Sequence, residues 1–302
     1  MRRLLIWYGE LTTQPRLWLR GGLLLAIPVG WLTVFLLLPC LVLAALGFAQ
    51  RGEYGQIIWQ VSLGNFRRLA GFDTLSLSEH YYLIILRRSF VVALVTTVLS
   101  IVLAYPLAFF VAARSPRTRY LWLALVIVPF CTNLVIRTYA WMLVLSKDMP
   151  PARLAAWLGL IPSDAGLYPG PGAVYIGMIS SFLPFAVLPL YTSVERLDWS
   201  LVEAARDLYG NKLRVFSHAI LPQTIPGLSV AIVLTFIPAM GVFLVPDLLG
   251  GGNYMLVGNL IQMQFGSSRD WPFGAAVSLV LMVLTLAGLF LLRRRGREVD
   301  PV

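Results

Sequence analysis

The sequence predicts an all-α integral membrane protein with six transmembrane helices. Hydrophobic residues make up 58% of the 302 positions and charged residues only 13%, which is outside the usual composition of soluble domains. Six apolar windows approach or exceed the roughly 18 to 20 residues that a helix needs to cross about 30 Å of hydrocarbon. The predicted spans are 22–49, 89–113, 120–145, 173–193, 228–249 and 274–292. We find no internal repeat or low-complexity linker, so residues 1–302 are interpreted as a single transmembrane domain.

The first apolar window is interpreted as a retained span rather than a cleaved signal peptide. Arg2 and Arg3 resemble the basic start of a signal peptide, and residues 47–49 resemble a small-residue cleavage site. The hydrophobic region of a signal peptide has about 7–15 residues, and this window is nearly twice as long. Its length therefore favours a membrane span.

The distribution of basic residues predicts the orientation. Fifteen of the 24 Lys and Arg residues fall at the two termini and in the loops after the second and fourth spans. Because Lys and Arg in short loops stay on the cytoplasmic side, both termini are predicted to be cytoplasmic. Loops 50–88, 146–172 and 250–273 then lie outside, and the first is expected to be folded because it mixes aromatic and charged residues. This topology accounts for most of the net charge of +10 without a nucleic-acid partner.

A polar segment, residues 194–227, separates the fourth and fifth spans and is the most informative stretch of the chain. Its pattern predicts a helix over 201–208, a turn, and a second helix over 213–220, with Asp198 or Ser200 able to cap the first helix. The first helix has two faces: Leu201, Ala205 and Leu208 on one, and Glu203, Arg206 and Asp207 around the other. An interfacial helix is the alternative, but anionic lipid would repel the two acids, so the pattern favours a soluble protein partner.

Several kinds of chemistry are not expected in this chain. No Gly-rich loop with a following Lys-Ser/Thr pair is present, so the chain is not expected to hydrolyse ATP. His80 and His218 have no second ligand at metal spacing, and no metal site is expected. No nucleophile with a neighbouring acid and base is apparent in the sequence, so no catalytic residue is predicted.

The polar segment resembles the cytoplasmic EAA loop of permease subunits in binding-protein-dependent ABC importers, and the chain is similar to the spermidine/putrescine type of such permeases. The similarity runs from about residue 85 to about residue 290. It is carried by the short motifs at 136–139, 183–185, 189–191, 195–198, 203–208, 238–241, 247–251 and 269–276.

The resemblance implies the type I importer permease fold, with a cytoplasmic coupling helix that docks in a cleft of an ATPase subunit. The residues it assigns to ATPase coupling are Glu203, Ala204, Ala205, Asp207, Gly210, Leu221 and Pro222. Two positions depart from the family pattern, because Tyr209 stands where Gly is usual and Ala219 where Ile is usual. Gly210 is then expected to supply the turn, one residue later.

The resemblance also implies the partners and the location. The chain would be a non-catalytic, multi-pass subunit in the inner membrane of a bacterium. It would assemble with a second homologous permease, two ATPase subunits and an extracytoplasmic solute-binding protein. ATP and Mg would be bound by the ATPases, and this chain would bind no cofactor and form half of the path for a small cationic substrate.

A polyamine path should offer carboxylates and aromatic faces near the outer ends of the spans. The candidates are Tyr139, Trp141, Asp247, Asp270 and Trp271. The alternative for the aromatic residues is the interfacial belt common to membrane proteins. Arg137 is a further candidate: on a continuous third helix it would lie about 25 Å from the cytoplasmic start, where it could reach the outer surface or pair with Asp247.

Three functional hypotheses therefore remain. The first is the permease subunit of a polyamine importer. The second is the same class of importer for an opine, an aminophosphonate or another small organic ion. The third is a secondary transporter that works alone, in which helix 201–208 is only a surface element.

Overall fold

The computed structural model describes residues 15–72, 81–162, 164–252 and 254–297, and helices dominate these ranges. In the first half of the chain, the elements are α1 (Pro15–Phe48), β1 (Gln50–Arg51), β2 (Ile57–Ile58), α2 (Gly64–Leu69), α3 (Tyr81–Ala112), α4 (Pro116–Cys131), α5 (Leu134–Val144) and α6 (Pro150–Trp157). They are followed by α7 (Pro171–Glu195), α8 (Trp199–Tyr209), α9 (Lys212–Val215), a π-helical turn (Phe216–Ile220), α10 (Leu221–Gly241), α11 (Leu244–Leu249), α12 (Val257–Phe265) and α13 (Trp271–Arg297).

Five helical segments in the described ranges are long and apolar enough to cross a membrane, and α4 with α5 provides a sixth if the pair is counted as one span. The five segments are Leu25–Phe48, Tyr81–Ala112, Pro171–Glu195, Lys212–Gly241 and Trp271–Phe290. The second therefore begins several residues before the predicted window 89–113. The mostly helical architecture agrees with the fold class predicted from the sequence.

The prediction of one continuous helix over 120–145 is wrong. Helix α4 ends at Cys131, Thr132 is extended, and α5 begins after Asn133, whose side chain accepts a hydrogen bond from the Val135 amide. The two helices are bent by 94° at this break. Pro129 in the last turn of α4 lacks an amide donor, and the Asn133 cap starts a new helix. The rise calculated for Arg137 along a straight helix does not apply.

The predicted fifth span, 228–249, also has different bounds in the structure. One continuous helical run covers Lys212–Gly241, because α9, the π-helical turn and α10 follow one another without a break. The second helix predicted at 213–220 is therefore the beginning of a long span. The chain breaks after Gly241, where Val242 is extended, and residues 244–249 form the separate helix α11.

Helices α3, α7 and α10 form the centre of the bundle, and small residues line their contacts. Ala104, Ala108, Ala186 and Ala231 are fully buried in one shared cluster. On α10, a Cβ atom on Gly227 would stand 2.5 Å from the Pro189 carbonyl oxygen of α7, so only glycine fits this approach. Small side chains let membrane helices pack at short distance, as they do here.

Helix α1 and the loop after it lie beside this centre. The membrane-spanning part of α1 buries none of its hydrophobic window in the chain, and the helix packs mainly against α13. The loop holds a two-residue antiparallel hairpin, β1 with β2, and the helix α2. Asn65 of α2 donates hydrogen bonds to the Gly47 and Ala49 carbonyl oxygens at 3.0 and 2.8 Å, which ties the loop to the end of α1. His80 lies outside the described residues.

Candidate functional site

Helix α8 starts from a fixed cap. The Asp198 carboxylate accepts hydrogen bonds from the Ser200 amide at 2.9 Å and the Ser200 hydroxyl at 2.7 Å. These bonds favour the charged carboxylate and hold the pKa of Asp198 below its ordinary value. The Asp198 amide donates to the Gln223 side chain at 2.9 Å, and Gln223 donates to the Ala219 carbonyl oxygen at 2.9 Å. The start of α8 is therefore anchored to the base of α10.

Gly210 forms the turn after α8, in the place expected for it from the sequence. Its φ is +62°, and its amide donates to the Arg206 carbonyl oxygen at 2.9 Å. Nothing lies within 4 Å of the position of a Cβ atom there, so the left-handed backbone, and not lack of space, favours glycine. Asn211 then caps α9 by accepting a hydrogen bond from the Leu213 amide at 3.0 Å.

A small apolar cluster holds α8 against the start of the long helical run. Val202 and Ala205 of α8 pack with Val215 and Ala219, and all four are buried. Ala219, which departs from the Ile expected from the family pattern, is thus part of the same buried cluster as Ala205. We refer to residues 198–220, joined in this way, as the coupling segment.

The structure divides the residues that the sequence groups on one face of α8. Ala205 is buried within the chain, whereas Leu201 is 54% exposed and Leu208 is 80% exposed. The buried face is centred on Val202 and Ala205, and Leu201 and Leu208 point away from the cluster. A helix with a buried small face and exposed leucines has apolar surface that nothing in the described chain covers.

The exposed side of α8 carries three of the seven residues assigned to coupling. Glu203, Ala204 and Asp207 are exposed alongside Leu201 and Leu208. We call these five residues the coupling surface. Contiguous apolar side chains with a charged rim are typical of protein interaction sites. Of the remaining predicted coupling residues, Ala205 belongs to the buried cluster, and Leu221 and Pro222 form the first turn of α10.

An ion pair that sequence reasoning missed lies beside the coupling segment. Arg119 of α4 pairs with Glu195 at the end of α7, and it also donates to the Ala112 carbonyl oxygen at 3.0 Å. Leu197, between Glu195 and α8, is buried against the α7 end of the bundle. The residues of the ion pair are 76 positions apart, and no local pattern in the sequence indicates the contact.

Arg137 lies at the break between α4 and α5. Its guanidinium donates to the Phe130 and Thr132 carbonyl oxygens, both at 3.0 Å, and lies 5.7 Å from the centre of the Phe130 ring. Carbonyl groups at the end of a helix attract a cation. Within the described ranges, no carboxylate lies within 4.0 Å of Arg137, so the pairing with Asp247 suggested by the sequence is not present.

Three of the other path candidates lie on elements that contact each other. Tyr139 and Trp141 belong to α5, and Asp247 belongs to α11, which packs against α5. Tyr139 and Asp247 are exposed, and Trp141 is half-buried against the main core cluster. The fold therefore brings an accessible carboxylate and an accessible aromatic face to neighbouring helices.

Asp270 is not available to a substrate, which corrects its predicted role. Its side chain is 2% exposed, and it accepts a hydrogen bond from Arg68 at 2.8 Å and from the Phe273 amide at 3.2 Å. Arg51 lies 3.7 Å away. We call Arg51, Arg68, Tyr82, Asp270 and Phe273 the hairpin junction, because they join the loop after α1 to the start of α13. Trp271, in contrast, is exposed.

Comparison with known proteins identifies the family. The model of the binding-protein-dependent transport system inner membrane component matches residues 104–299, which is more than half of the chain. The chain belongs to this family. The matched range includes the coupling segment, Arg119, Arg137, and Asp270 and Phe273 of the hairpin junction.

Relatives of this permease cover nearly its whole length. It is 42% identical to the spermidine/putrescine transport system permease protein PotB of Escherichia coli, over 87% of this chain and 92% of that one. It is 36% identical to PotB of Haemophilus influenzae, over 91% and 93%. The inner membrane ABC transporter permease protein YdcU of Escherichia coli is 29% identical over 91% and 89%.

Solved structures support the fold of the permease. A chain of a bacterial alginate ABC transporter, in complex with an alginate pentasaccharide-bound periplasmic protein, superposes with a TM-score of 0.68. The alignment covers 95% of this chain and 96% of that chain at 14% identity, so it shows a shared fold and nothing about substrate. The permease thus has the fold of an ABC importer membrane subunit.

Proposed function

We propose that this permease carries polyamines such as spermidine and putrescine, and that it forms half of the translocation path of an ATP-driven importer. The observation that carries the proposal is the 42% identity to PotB over 87% of the chain. A match of this length includes both the coupling segment and the helices that hold the path candidates. A secondary transporter that works alone does not fit membership of a binding-protein-dependent family.

The coupling surface is the proposed docking site for an ATPase subunit. Leu201 and Leu208 supply apolar area, while Glu203 and Asp207 supply charge that can fix the orientation of a partner. The buried contacts of Val202 and Ala205 and the Asp198 hydrogen bonds make the coupling segment one packed unit. Movement of the ATPases would then reach α7 and α10 together and bias the spans between two packed arrangements.

The wider assembly follows from the same proposal. A second homologous permease, two ATPases and an extracytoplasmic solute-binding protein complete the importer, and both termini of this chain are cytoplasmic. ATP and Mg are bound by the ATPases, and this chain is a non-catalytic subunit without a cofactor. The bias of Lys and Arg toward the termini and the α8 side supports this orientation.

The proposed substrate path runs past α5 and α11. Asp247 provides a carboxylate for an ammonium group, and Tyr139, Trp141 and Trp271 provide aromatic faces. Each cation–π contact contributes on the order of 0.5–2 kcal/mol. Asp270 is excluded from direct contact because it is buried in the hairpin junction.

Arg137 favours one competing substrate class. A cation that has no carboxylate within 4.0 Å among the described residues would repel a polyamine and attract an anionic group. An opine or an aminophosphonate carries such a group. The second candidate is therefore the same importer with a small organic ion as substrate.

Uptake in proteoliposomes tests both proposals. The complete importer, loaded with ATP inside and supplied with its binding protein outside, should accumulate labelled spermidine. Unlabelled putrescine should compete, and an opine or an aminophosphonate should not; the reverse pattern would favour the second candidate. Replacement of Tyr139 and Asp247 should then weaken competition by polyamines.

Coupling is tested with Glu203→Lys, matched by Glu53→Lys in the hairpin loop, where the carboxylate is also exposed. Glu203→Lys should abolish ATP-dependent uptake and release the ATPases from the purified complex, with the permease still in the membrane. Glu53→Lys should keep the ATPases bound. Undiminished uptake by the Glu203 variant would reject the docking role of the coupling surface.

A further inference from the structure

One arginine joins the ends of three helices near the coupling segment. Helix α3 ends at Ala112, α4 begins at Pro116 and α7 ends at Glu195. Arg119, in the first turn of α4, pairs with the Glu195 carboxylate. Its guanidinium also donates hydrogen bonds to the carbonyl oxygens of Ala112 at 3.0 Å and Arg114 at 3.4 Å. Carbonyl groups at the end of a helix attract a cation, so the ends of α3 and α7 both hold this side chain. We call Arg119, Glu195 and the two carbonyl groups the arginine bridge.

The arginine bridge is partly enclosed by the bundle. The side chain of Arg119 is 22% exposed and that of Glu195 is 40% exposed. Val111, next to the end of α3, is buried in one cluster with Tyr191 and Leu197, which lie on either side of Glu195 in the chain. An ion pair that is partly shielded from water is screened less by salt than a fully exposed pair. The bridge is therefore a defined contact between helix ends.

Helix α4 has few other firm attachments to the bundle. No residue of α4 is buried, whereas twelve residues of α7 are. The contacts of α4 with the central cluster come from half-buried side chains such as Leu123 and Val126. Helices α3, α7 and α10, in contrast, pack closely against one another. Packed side chains can therefore transmit movement among these three helices better than to α4, and the arginine bridge supplies a direct attachment for α4.

The arginine bridge lies next to the start of α8. Three residues separate Glu195 from Trp199, the first residue of α8. The middle one, Leu197, is buried, and its amide donates to the Val194 carbonyl oxygen at 3.3 Å. The link between the two helices is thus short and packed. A displacement of α8 therefore moves the end of α7, including Glu195.

We propose that Arg119 is a positioning residue for the coupling of ATP hydrolysis to transport, because its pair with Glu195 makes α4 follow the coupling segment. The far end of α4 leads through the break into α5, which carries the path candidates Tyr139 and Trp141. The arginine bridge thus connects the coupling segment with the pair of helices beside the path. The proposal rests on the proposed function, since an ATPase must supply the movement of α8.

Replacements of the two paired residues test the proposal in the complete importer. Glu195→Gln keeps the length of the side chain without its charge, and Arg119→Gln removes the cation. Two residues that act only through each other show no further loss when both are changed, so the double glutamine variant tests whether they form one unit. Arg119→Lys keeps the charge, but a single ammonium group lacks the fork of donors that contacts α3 and α7 together. Arg117→Gln, at an exposed position two residues earlier in α4, is the matched control.

The first measurement is the number of ATP molecules hydrolysed for each labelled spermidine taken up by proteoliposomes, with the binding protein outside. We expect this ratio to rise about threefold in each glutamine variant and equally in the double variant, and by less in Arg119→Lys. Arg117→Gln should keep the ratio of the parent, and the ATPases should stay bound in every variant because the coupling surface is unchanged.

Two results of this measurement would overturn the proposal. One is an unchanged ratio, with uptake and hydrolysis falling together with the thermal unfolding temperature, which would leave the pair a structural role only. The other is a double variant whose ratio is the product of the two single effects, which would show that Arg119 and Glu195 act independently.

Hydrogen exchange separates failure of this proposal from failure of the proposed function, because it does not depend on the substrate. In the parent importer, a non-hydrolysable ATP analogue should change amide exchange both in residues 198–209 and at the start of α4, residues 116–123. In Glu195→Gln the change should remain in α8 and disappear from α4. A change in α4 that persists in this variant would overturn the role of the arginine bridge, whether or not spermidine is the substrate. An analogue that alters neither segment of the parent would instead count against the proposed function.

Discussion

The hairpin junction and the coupling segment both join a loop to the ends of spans, but they bury different groups. The hairpin junction buries charge: Asp270 is almost inaccessible and is neutralised by Arg68, which also lies 4.2 Å from the centre of the Phe273 ring. The coupling segment buries only small apolar side chains and leaves its leucines and acids exposed. The charges of the hairpin junction are therefore paired within the chain, whereas the exposed groups of the coupling segment are free to contact a partner protein.

This difference indicates where stability and where function should respond to mutation. Removing one member of a buried ion pair leaves the other uncompensated, so changes in the hairpin junction should destabilise the whole chain. Changes on the coupling surface should leave the fold intact and affect the partner. Changes on the buried face of α8 should have an intermediate effect, because they should destabilise the coupling segment without destabilising the whole chain.

The largest effect is expected for Asp270→Ala. It leaves Arg68 without its carboxylate and removes the hydrogen bond to the Phe273 amide, at a cost of about 2–4 kcal/mol, less than for a fully buried pair because Arg68 is partly exposed. The thermal unfolding temperature of the permease in detergent and its abundance in the membrane should both fall. Asp247→Ala is the control, because Asp247 is exposed. Equal stability of the two variants would show that the hairpin junction does not hold the loop.

A smaller and local effect is expected for Ala205→Leu. The added methyl groups would overpack the contact with Val215 and Ala219, which costs about 1–3 kcal/mol. Amide hydrogen exchange should become faster in residues 198–220 and stay unchanged at the hairpin junction. Ala204→Leu is the matched control, since Ala204 is exposed one position away. Faster exchange in both variants would mean that α8 is not held by this cluster.

The sequence predicted the coupling helix well because its signals are local. Asp198, the charged residues after it and Gly210 lie within one short stretch, and capping and turn formation depend on neighbours in the chain. Which side chains of α8 are buried depends on Val215 and Ala219, which lie outside that helix, so the sequence pattern alone did not separate Ala205 from Leu201 and Leu208. Hydropathy alone also could not predict the break at Thr132–Asn133, because a proline within a membrane helix is often accommodated without one.

The path residues were harder to predict for a similar reason. In the sequence, Asp270 looks like part of a substrate site, because it is an acid next to a tryptophan. Its partner Arg68, however, lies 202 positions away. Only the folded structure shows that the Asp270 carboxylate is paired with Arg68. Arg137 likewise interacts with backbone carbonyl groups, which carry no sequence pattern.

Gly210→Ala should have a smaller effect than Ala205→Leu. Its φ of +62° disfavours a residue with a Cβ atom by about 1 kcal/mol, although the space is open. The turn between α8 and α9 should open more often, and hydrogen exchange at the end of α8 should rise a few fold. Gly172→Ala is the control, because Gly172 lies in the first turn of α7, also in open space and without a left-handed backbone. Equal protection in the two variants would show that the turn does not depend on glycine.

The smallest effect concerns pH and the cap of α8. The pKa of Asp198 is lower in the folded protein than its ordinary value, because Ser200 donates two hydrogen bonds to the charged carboxylate. The stabilisation by this cap is therefore complete above the ordinary pKa of an aspartate, and it is lost as the pH falls through the lower folded value.

Hydrogen exchange at the start of α8 should accelerate in that acidic range in the parent. Asp198→Asn keeps a capping oxygen without a titrating group, so its protection should not follow this pH dependence. An identical acid response in both proteins would assign the change to another group of the coupling segment.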